Sequence, residues 1–576
     1  MRKLIYSVFM LALALCLCLS VFAGCKTTKT ADVSSTPSVE QPAPETEQES
    51  IEESQPEEDV TEDPFEELPT EEPTDDEIDM AQDLYIYNKQ KLSDDFLGIG
   101  VIHNLYNYMP DKDGRTYNEK QIGQELDTLK ETRIKMIRSF YGSTLAWDPV
   151  KQEHNYESPY MTAFYKNCHD MADLGIEIGI TMQWSLEGFV RESKSKMQGV
   201  SIYENGYVVP GDLAATQKNF ATFTEESVLA FQAHGVNNIK YIFAFTECNN
   251  MYTLPDDGKM TTAERRQFHK VYPVFHAGID ALDTGLKNAG LRDRYQIVGP
   301  CDSGSGDDDE RDYSRLVKYV SEHLTDQVDI IGSHHGGYVK NETYATDSFY
   351  DYPQTNFPTA IAQAEAMGKD YWHDEINVGI SNVWGPAAAR SYVNVEPWKG
   401  VALGAMVNSV MNLGKVDTMF LWGLYDQQWP NSTSAGAASE FDNGIQLVGY
   451  LPSLLESAMP YKPYYAMSLL TRYIGSGELY ACEIGYSVYL SAIRRDDGEW
   501  TVVVTNYNFE DTDIRINFEA SMGGKNFYRH LYNVNTVTPV IGADTIPADA
   551  VAKNVTVGFA DTLPGGSVAV YTTEKP

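Results

Sequence analysis

The chain has 576 residues, with 83 Asp or Glu against 44 Lys or Arg and a formal net charge of −39. No basic stripe runs along it, which speaks against a nucleic-acid partner. Hydrophobic residues make up 42% of the chain, enough for a sizeable core, so the acidity has to be local.

It is local, and it lies near the start. Met1-Arg2-Lys3 precede an apolar run that reaches Phe22, and Ala23-Gly24-Cys25 follow. A short basic start, an apolar stretch and small residues at a cleavage point predict a secretory signal over 1–24. The run is too short for a lasting membrane span. Val21-Phe22-Ala23-Gly24-Cys25 resembles a bacterial lipobox, which implies that Cys25 becomes the lipidated N-terminus of a surface protein held on the membrane. Residues 31–80 hold twenty Asp or Glu, no Lys or Arg and seven Pro. Such a stretch buries too little apolar surface to fold and its charges repel, so 25–82 reads as an extended tether.

Seven Cys are present. Cys16 and Cys18 leave with the signal and Cys25 is the lipid site. Cys168, Cys248, Cys301 and Cys482 are too scattered for a disulfide framework, and no CxxC metal spacing occurs. Cys248 and Cys301 are the one pair at neighbouring strand ends; buried thiols are the other reading.

From residue 93 short apolar runs alternate with amphipathic helices. The strands are read at Phe96–Ile102, Ile134–Ser139, Glu177–Met182, Ile239–Phe245, Tyr295–Gly299, Val328–Ser333, Asp370–His373 and Thr418–Leu421. Between them, Asn118 caps a helix carrying Ile122, Leu126 and Leu129. Ser158-Pro159 starts another, with Phe164, Cys168 and Met171 at helical spacing, and Gly175 stops it. Further helices are expected near 213–234, 262–290, 311–324, 357–368, 396–413 and 454–473. Eight strands alternating with eight helices predict an α/β fold, a closed (β/α)8 barrel over 93–474. An open doubly wound sheet would announce a Gly-rich phosphate turn after its first strand, and none is present. Past 475, Tyr486–Ile493, Trp500–Tyr507, Asp513–Phe518 and Ser567–Thr572 alternate polar and apolar residues, which predicts an antiparallel β-sandwich over 475–576. Leu84–Tyr87 alternates too, and 83–92 reads as a strand lent to that sandwich.

Active sites of such barrels collect at the C-terminal strand ends. Strand 2 ends in Arg138, strand 3 near Gln183-Trp184, strand 4 in Thr246-Glu247-Cys248-Asn249-Asn250, strand 5 near Asp302. Strand 6 ends in His334-His335, strand 7 in His373-Asp374-Glu375-Ile376-Asn377 and strand 8 in Trp422. Glu247 and Glu375 face each other across the mouth. Two such carboxyls suit glycoside hydrolysis, one protonating the departing oxygen and the other attacking the anomeric carbon. Asp374 neighbours Glu375, but alternation along a strand sends it to the other face.

The constellation resembles clan A of the glycoside hydrolases, whose acid/base follows strand 4 and whose nucleophile follows strand 7. Within the clan the motifs are most similar to family 39, whose strand 4 ends in Asn-Glu-Pro-Asn and strand 7 in Glu, an aromatic and Asn. Glu247 and Asn249 match the first, Glu375 and Asn377 the second. Val328–His334 is similar to the family's sixth strand and Trp422-Gly423-Leu424-Tyr425-Asp426 to its eighth. The resemblance implies a retaining β-glycosidase with Glu247 as acid/base and Glu375 as nucleophile, their carboxyls about 5–5.5 Å apart. It implies that Arg138 keeps Glu375 ionised and that Thr246, Asn249, His334, His335, Trp422, Trp184, Gln183 and His103 contact sugar, with Asn104 and Tyr338 as further contacts. The sequence departs from the clan at Thr246, where an Asn holds the sugar 2-hydroxyl. No cofactor and no metal are implied. Asp302–Asp309 is acidic, but its spacing fits no calcium loop and it reads as a solvated turn. The partners expected are an oligo- or polysaccharide and, through Cys25, a membrane, for a monomer outside the cytoplasm. The competing reading is an inactive glycan-binding surface lipoprotein on the same fold.

Overall fold

The computed structural model describes residues 65–70, 81–103, 105, 119–142, 145–148, 151, 153–182, 213–243, 245–246, 271–303, 313–339, 347–380, 389–424, 448–449, 459–538 and 545–576. The signal, Cys25 and the acidic stretch to residue 64 lie outside them. Among the described residues no helix is long and apolar enough to cross a membrane.

Eight parallel strands close a barrel. They are β3 (Ile99–Ile102), β4 (Met136–Phe140), β7 (Glu177–Thr181), β8 (Ile239–Phe243), β9 (Gln296–Asp302), β10 (Ile330–Val339), β11 (Tyr371–Ile380) and β12 (Thr418–Trp422), with β12 pairing back onto β3. The small hairpin strands β5 (Trp147–Asp148) and β6 (Glu153–His154) lie between β4 and β7 in the chain, and a second small pair, β13 (Val448–Gly449) and β14 (Met459–Pro460), follows β12. Each of the eight strands falls on an apolar run expected from sequence. β9, β10 and β11 continue beyond the expected ends, to Asp302, Val339 and Ile380.

The barrel interior is filled by large rings opposite missing side chains. A Cβ on Gly179 would lie 2.4 Å from the Phe243 ring, and one on Gly100 would lie 2.7 Å from Phe420. Trp372 stands edge-on to Tyr241 at 4.7 Å and is tilted against Phe420 at 5.8 Å. Glycine on one strand thus makes room for an aromatic on another, as close packing demands.

Among the described residues the α-helices are α1 (Glu119–Glu131), α2 (Pro159–Asp173), α3 (Leu213–Ala233), α4 (Val271–Asn288), α5 (Ser314–His323), α6 (Asp347–Asn356), α7 (Pro358–Ala366), α8 (Ala389–Leu413) and α9 (Lys462–Tyr473). α2 begins as its sequence asks: the Ser158 hydroxyl accepts the Met161 N–H at 3.2 Å and Pro159 occupies the first turn. Where one helix was expected near 357–368, two occur: Asp347–Asn356 precedes the expected element, and α8 starts at Ala389 rather than near 396.

The second sheet has ten strands. β1 is Glu66–Leu68, β2 Gln82–Phe96, β15 Gly477–Glu483, β16 Val488–Arg495, β17 Trp500–Asn506, β18 Thr512–Phe518, β19 Lys525–Asn533, β20 Ala550–Val555, β21 Gly558–Leu563 and β22 Ser567–Thr572. Their order is β1-β20-β19-β22-β17-β16-β15-β2-β18-β21, and all pairs are antiparallel except β1 with β20 and β2 with β18. The two edges come together where the Ala560 N–H donates to the Pro69 carbonyl at 3.0 Å, so the sheet wraps its own core of Leu84, Ile86, Leu490, Val502, Val504, Ile516 and Phe527. Leu84–Tyr87 lies within β2. Glu66–Leu68 falls inside the stretch read as tether, yet it forms an edge strand because Leu68 is buried in that core and Phe65 meets the Tyr528 ring at 5.6 Å.

The alternation expected in this sheet fails at β17 and β22, where every residue is buried. The reason is tertiary. Val502 and Val504 face the sheet's own core, while Val503, Val568 and Val570 join the barrel core. The outer face is covered by α8, where Gly400, Gly404, Asn408 and Asn412 form a stripe at four-residue spacing. A Cβ at Gly400 would lie 2.7 Å from the Tyr532 ring, and one at Gly404 would lie 2.6 Å from the Thr505 hydroxyl. Asn408 donates to Ser491 and the Val503 carbonyl and accepts from Thr505.

Candidate active site

Arg138, the middle residue of β4, lies wholly inside the barrel, 0% exposed. Its Nε donates to the Thr181 hydroxyl at 2.9 Å, Nη2 to the Thr246 hydroxyl at 2.5 Å and Nη1 to the Asp374 carbonyl at 2.6 Å. The guanidinium lies over the Phe243 ring, 4.6 Å from its centre. A buried charge of this kind needs anionic neighbours. They are Glu375, with Oε2 at 3.5 Å from Nη1, and Asp374, with Oδ2 at 3.7 Å.

His334, midway along β10, joins the same group. Its Nε2 is 3.3 Å from Asp374 Oδ1 and its Nδ1 is 3.5 Å from Glu375 Oε2. Burial disfavours the charged ring, but the charges of Asp374 and Glu375 outweigh it and raise the His334 pKa. For Asp374, burial pushes the carboxyl up while His334 and Arg138 pull it down more strongly, so its pKa is lowered.

The placement of Asp374 corrects the sequence expectation. It does not face away from Glu375. β11 carries one residue more than its neighbours at this point: His373 stands opposite Met419 and Ile376 opposite Leu421, while Ser333 and His334 face His373 and Glu375. A bulge interrupts strict alternation, so both carboxylates reach Arg138 and His334. They differ in access: Asp374 is 0% exposed and Glu375 8%.

Other expected contacts part from this cluster. His335 stacks on Tyr352 at 4.4 Å, so it packs against α6 and not beside His334. His103 turns to α1, where Nε2 is 2.7 Å from Glu125, both side chains being buried. The hydroxyl of Thr246, expected on the sugar, is bonded to Arg138. Trp422 is partly buried, edge-on to Phe140 at 5.7 Å, and its indole nitrogen is shielded from solvent without an acceptor among the described residues. His373 faces Phe357 at 4.3 Å, and burial pushes its pKa down to about 3. Glu247, Cys248, Asn249, Asn250, Gln183, Trp184, Asn104 and residues 304–309 lie outside the described residues, as do the side chains of Tyr338 and Asn377.

Sequence reasoning missed Thr181, Phe243 and the role of Asp374. Only the last left a signal, two adjacent acids at a strand end. Among the described residues no group of three or more His, Cys, Asp or Glu is arranged to hold a metal ion. A cavity of about 570 Å3 opens at the opposite, N-terminal end of the barrel, lined in part by Leu97, Lys135 and Glu177. It holds none of the candidate residues, and its arginines are bound internally, Arg133 to Glu574, Arg472 to Glu131 and Arg495 to Asp497. The strand-end cluster is therefore the better site.

No family model matches the chain, and no curated protein matches it in sequence. Solved structures do match in fold. A family 30 subfamily 8 xylanase from Clostridium acetobutylicum is 15% identical with a TM-score of 0.53, over 85% of this chain and 99% of that one. A family 51 α-L-arabinofuranosidase from Bifidobacterium longum is 14% identical with a TM-score of 0.53, over 85% and 99%. An endo-β1,6-glucanase is 14% identical with a TM-score of 0.50, over 86% and 94%. At such identities the likeness is one of fold: a barrel and an attached sheet shared with clan A glycoside hydrolases.

Proposed function

We propose that the protein is a retaining β-glycosidase that cleaves O-glycosidic bonds of an extracellular oligo- or polysaccharide. Glu375 is the nucleophile and Glu247 the acid/base of a double displacement. One observation carries this reading: at the C-terminal end of the barrel, Glu375 is the carboxylate that reaches solvent, with the fixed charge of Arg138 and the ring of His334 each 3.5 Å from Oε2. Trp422, opposite Asn377 on the neighbouring strand, offers a ring and a shielded N–H. Similarity in fold to a xylanase, an arabinofuranosidase and a glucanase supports the reaction class. The motif order remains most like family 39. Attack by Glu375 forms a glycosyl-enzyme as Glu247 protonates the leaving oxygen; Glu247 then activates the water that releases the sugar.

A screen of aryl β-glycosides and plant polysaccharides names the substrate, and NMR of the first-formed anomer reads the stereochemistry. Glu375→Gln should lower kcat roughly 10³-fold or more. Normal turnover in that variant refutes the assignment. The engagement of Thr246 with Arg138 favours, as second reading, a glycan binder without turnover; it would bind the same glycans in the screen and hydrolyse none.

The surface location is part of the proposal. Cys25 carries lipid that holds the protein on the membrane surface. Cys25→Ser should shift the protein from membrane to medium, and unchanged membrane retention would refute the anchor.

A further inference from the structure

The bulge in β11 leaves a second carboxylate that the double displacement does not use. Asp374 is wholly buried, and the neighbouring strand is shaped around it. A Cβ at Gly332 of β10 would lie 3.0 Å from Asp374 Oδ2 and 3.2 Å from its Cγ, with Val298 of β9 closing the other side at 3.1 Å. A carboxylate held at such depth is costly unless charges compensate it. Here both compensating groups also serve Glu375. Arg138 Nη1 lies 3.7 Å from Asp374 Oδ2 and 3.5 Å from Glu375 Oε2. His334 presents one ring nitrogen to each acid, at 3.3 and 3.5 Å.

We propose that Asp374 is a positioning residue for Glu375: seated by the bulge beneath it, its carboxylate holds Arg138 and a charged His334 ring beside Glu375 Oε2. The proposal rests on the reading of Glu375 as nucleophile. The chemistry turns on His334 Nε2, which has two neighbours, Arg138 Nη1 at 3.3 Å and Asp374 Oδ1. Facing Arg138 alone, Nε2 would have to be an unprotonated acceptor and the ring neutral. Facing an ionised Asp374, Nε2 carries a proton, Nδ1 carries another toward Glu375, and the ring is charged. The raised pKa of His334 and the lowered one of Asp374 agree with the second arrangement. The groups facing this pair are Arg138 from β4, Cys301 from β9, and Tyr371, His373 and Glu375 from β11, while Thr246 beyond β8 reaches it only through Arg138. His373, with its pKa near 3, is uncharged at neutral pH.

The test uses the full chain labelled with 15N-histidine, the His334 resonance being assigned with His334→Gln. Asp374→Asn keeps the shape and removes the charge. It should lower the His334 titration midpoint by roughly one unit or more. On any aryl glycoside the wild type hydrolyses, kcat should fall about 100-fold, KM should stay within about threefold, and the alkaline limb of kcat/KM should move down by the same interval as the midpoint. A lower melting temperature with midpoint and limb unmoved would mean a merely structural role and overturns the proposal. If Asp374→Asn does not fold, Gly332→Ala, which crowds the carboxylate, is read in the same titration, and an unmoved midpoint there overturns it equally. A wild type that hydrolyses no glycoside refutes the glycosidase reading instead, while the histidine titration still decides what Asp374 does to His334.

Discussion

Arg138 is constrained from several sides at once. Its donors are spread over β7, the end of β8 and β11, and its flat face lies on Phe243. Only a guanidinium offers that planar fork, so Lys would not replace it. Arg138→Met would leave Asp374 buried beside Glu375 without the fixed charge, and unfolding by denaturant should show a loss of about 3–5 kcal/mol. A half-buried acid acts in the opposite sense. Asp417 precedes β12 and accepts the Tyr371 N–H at 2.7 Å. Burial raises its pKa to about 7, the Tyr371 N–H opposes this, and Asp370 and Asp95 add to it. A carboxyl that holds its proton more tightly when folded contributes stability below its unfolded pKa, and that contribution is lost as pH rises through about 7. Asp417→Asn should therefore stabilise the protein at pH 8 by about 1–2 kcal/mol, allowing for partial exposure, and give no gain at pH 4. Thermal melts at the two pH values check the difference.

Among the elements, α8 decides how barrel and sheet meet. Its Gly400-Gly404-Asn408-Asn412 stripe brings helix backbone against β17, β19 and β22, and Asn408 satisfies polar groups that this contact buries. Two glycines in helices should consequently respond with opposite signs. Gly123 in α1 has nothing within 4 Å of a new Cβ, so Gly123→Ala should stabilise by about 0.5–1 kcal/mol through helix propensity. Gly404→Ala gains the same propensity but drives its methyl to 2.6 Å from Thr505 and 2.7 Å from Val568, and should destabilise by about 1–3 kcal/mol. Denaturation midpoints of the two variants, measured side by side, check the signs.

For the whole molecule, barrel and wrapped sheet share one apolar core. Tyr489, Ile493, Val503, Tyr532, Val568 and Val570 of the sheet belong to the cluster that fills the barrel's helix layer. β2 binds them from the other end of the chain, lying between β15 and β18 before the barrel begins. The barrel is therefore not a module that stands alone. A chain ended at residue 474, or one begun at residue 97, should be insoluble or lack a cooperative melt, while the full chain should unfold in one transition. A soluble, cooperatively melting 97–474 fragment would contradict this.

The sequence alone determined the eight strands, because each is a short apolar run that has to be buried on both faces, and it determined the barrel by their alternation with amphipathic helices. It also singled out Arg138, His334 and Glu375, polar residues closing apolar runs, which the fold brings together. Tertiary structure decided the rest. A bulge cannot be read from a run such as Trp372-His373-Asp374-Glu375, so alternation misplaced Asp374; the offset exists only in the pairing with β10 and β12. His335 and His103 look equivalent to His334 in sequence, but whether a ring at a strand end faces the mouth or the helices depends on strand tilt and on partners such as Tyr352 and Glu125. The polar-apolar alternation expected of the terminal strands failed for the same kind of reason, because a second layer, α8, covers a face that one strand by itself would leave to water.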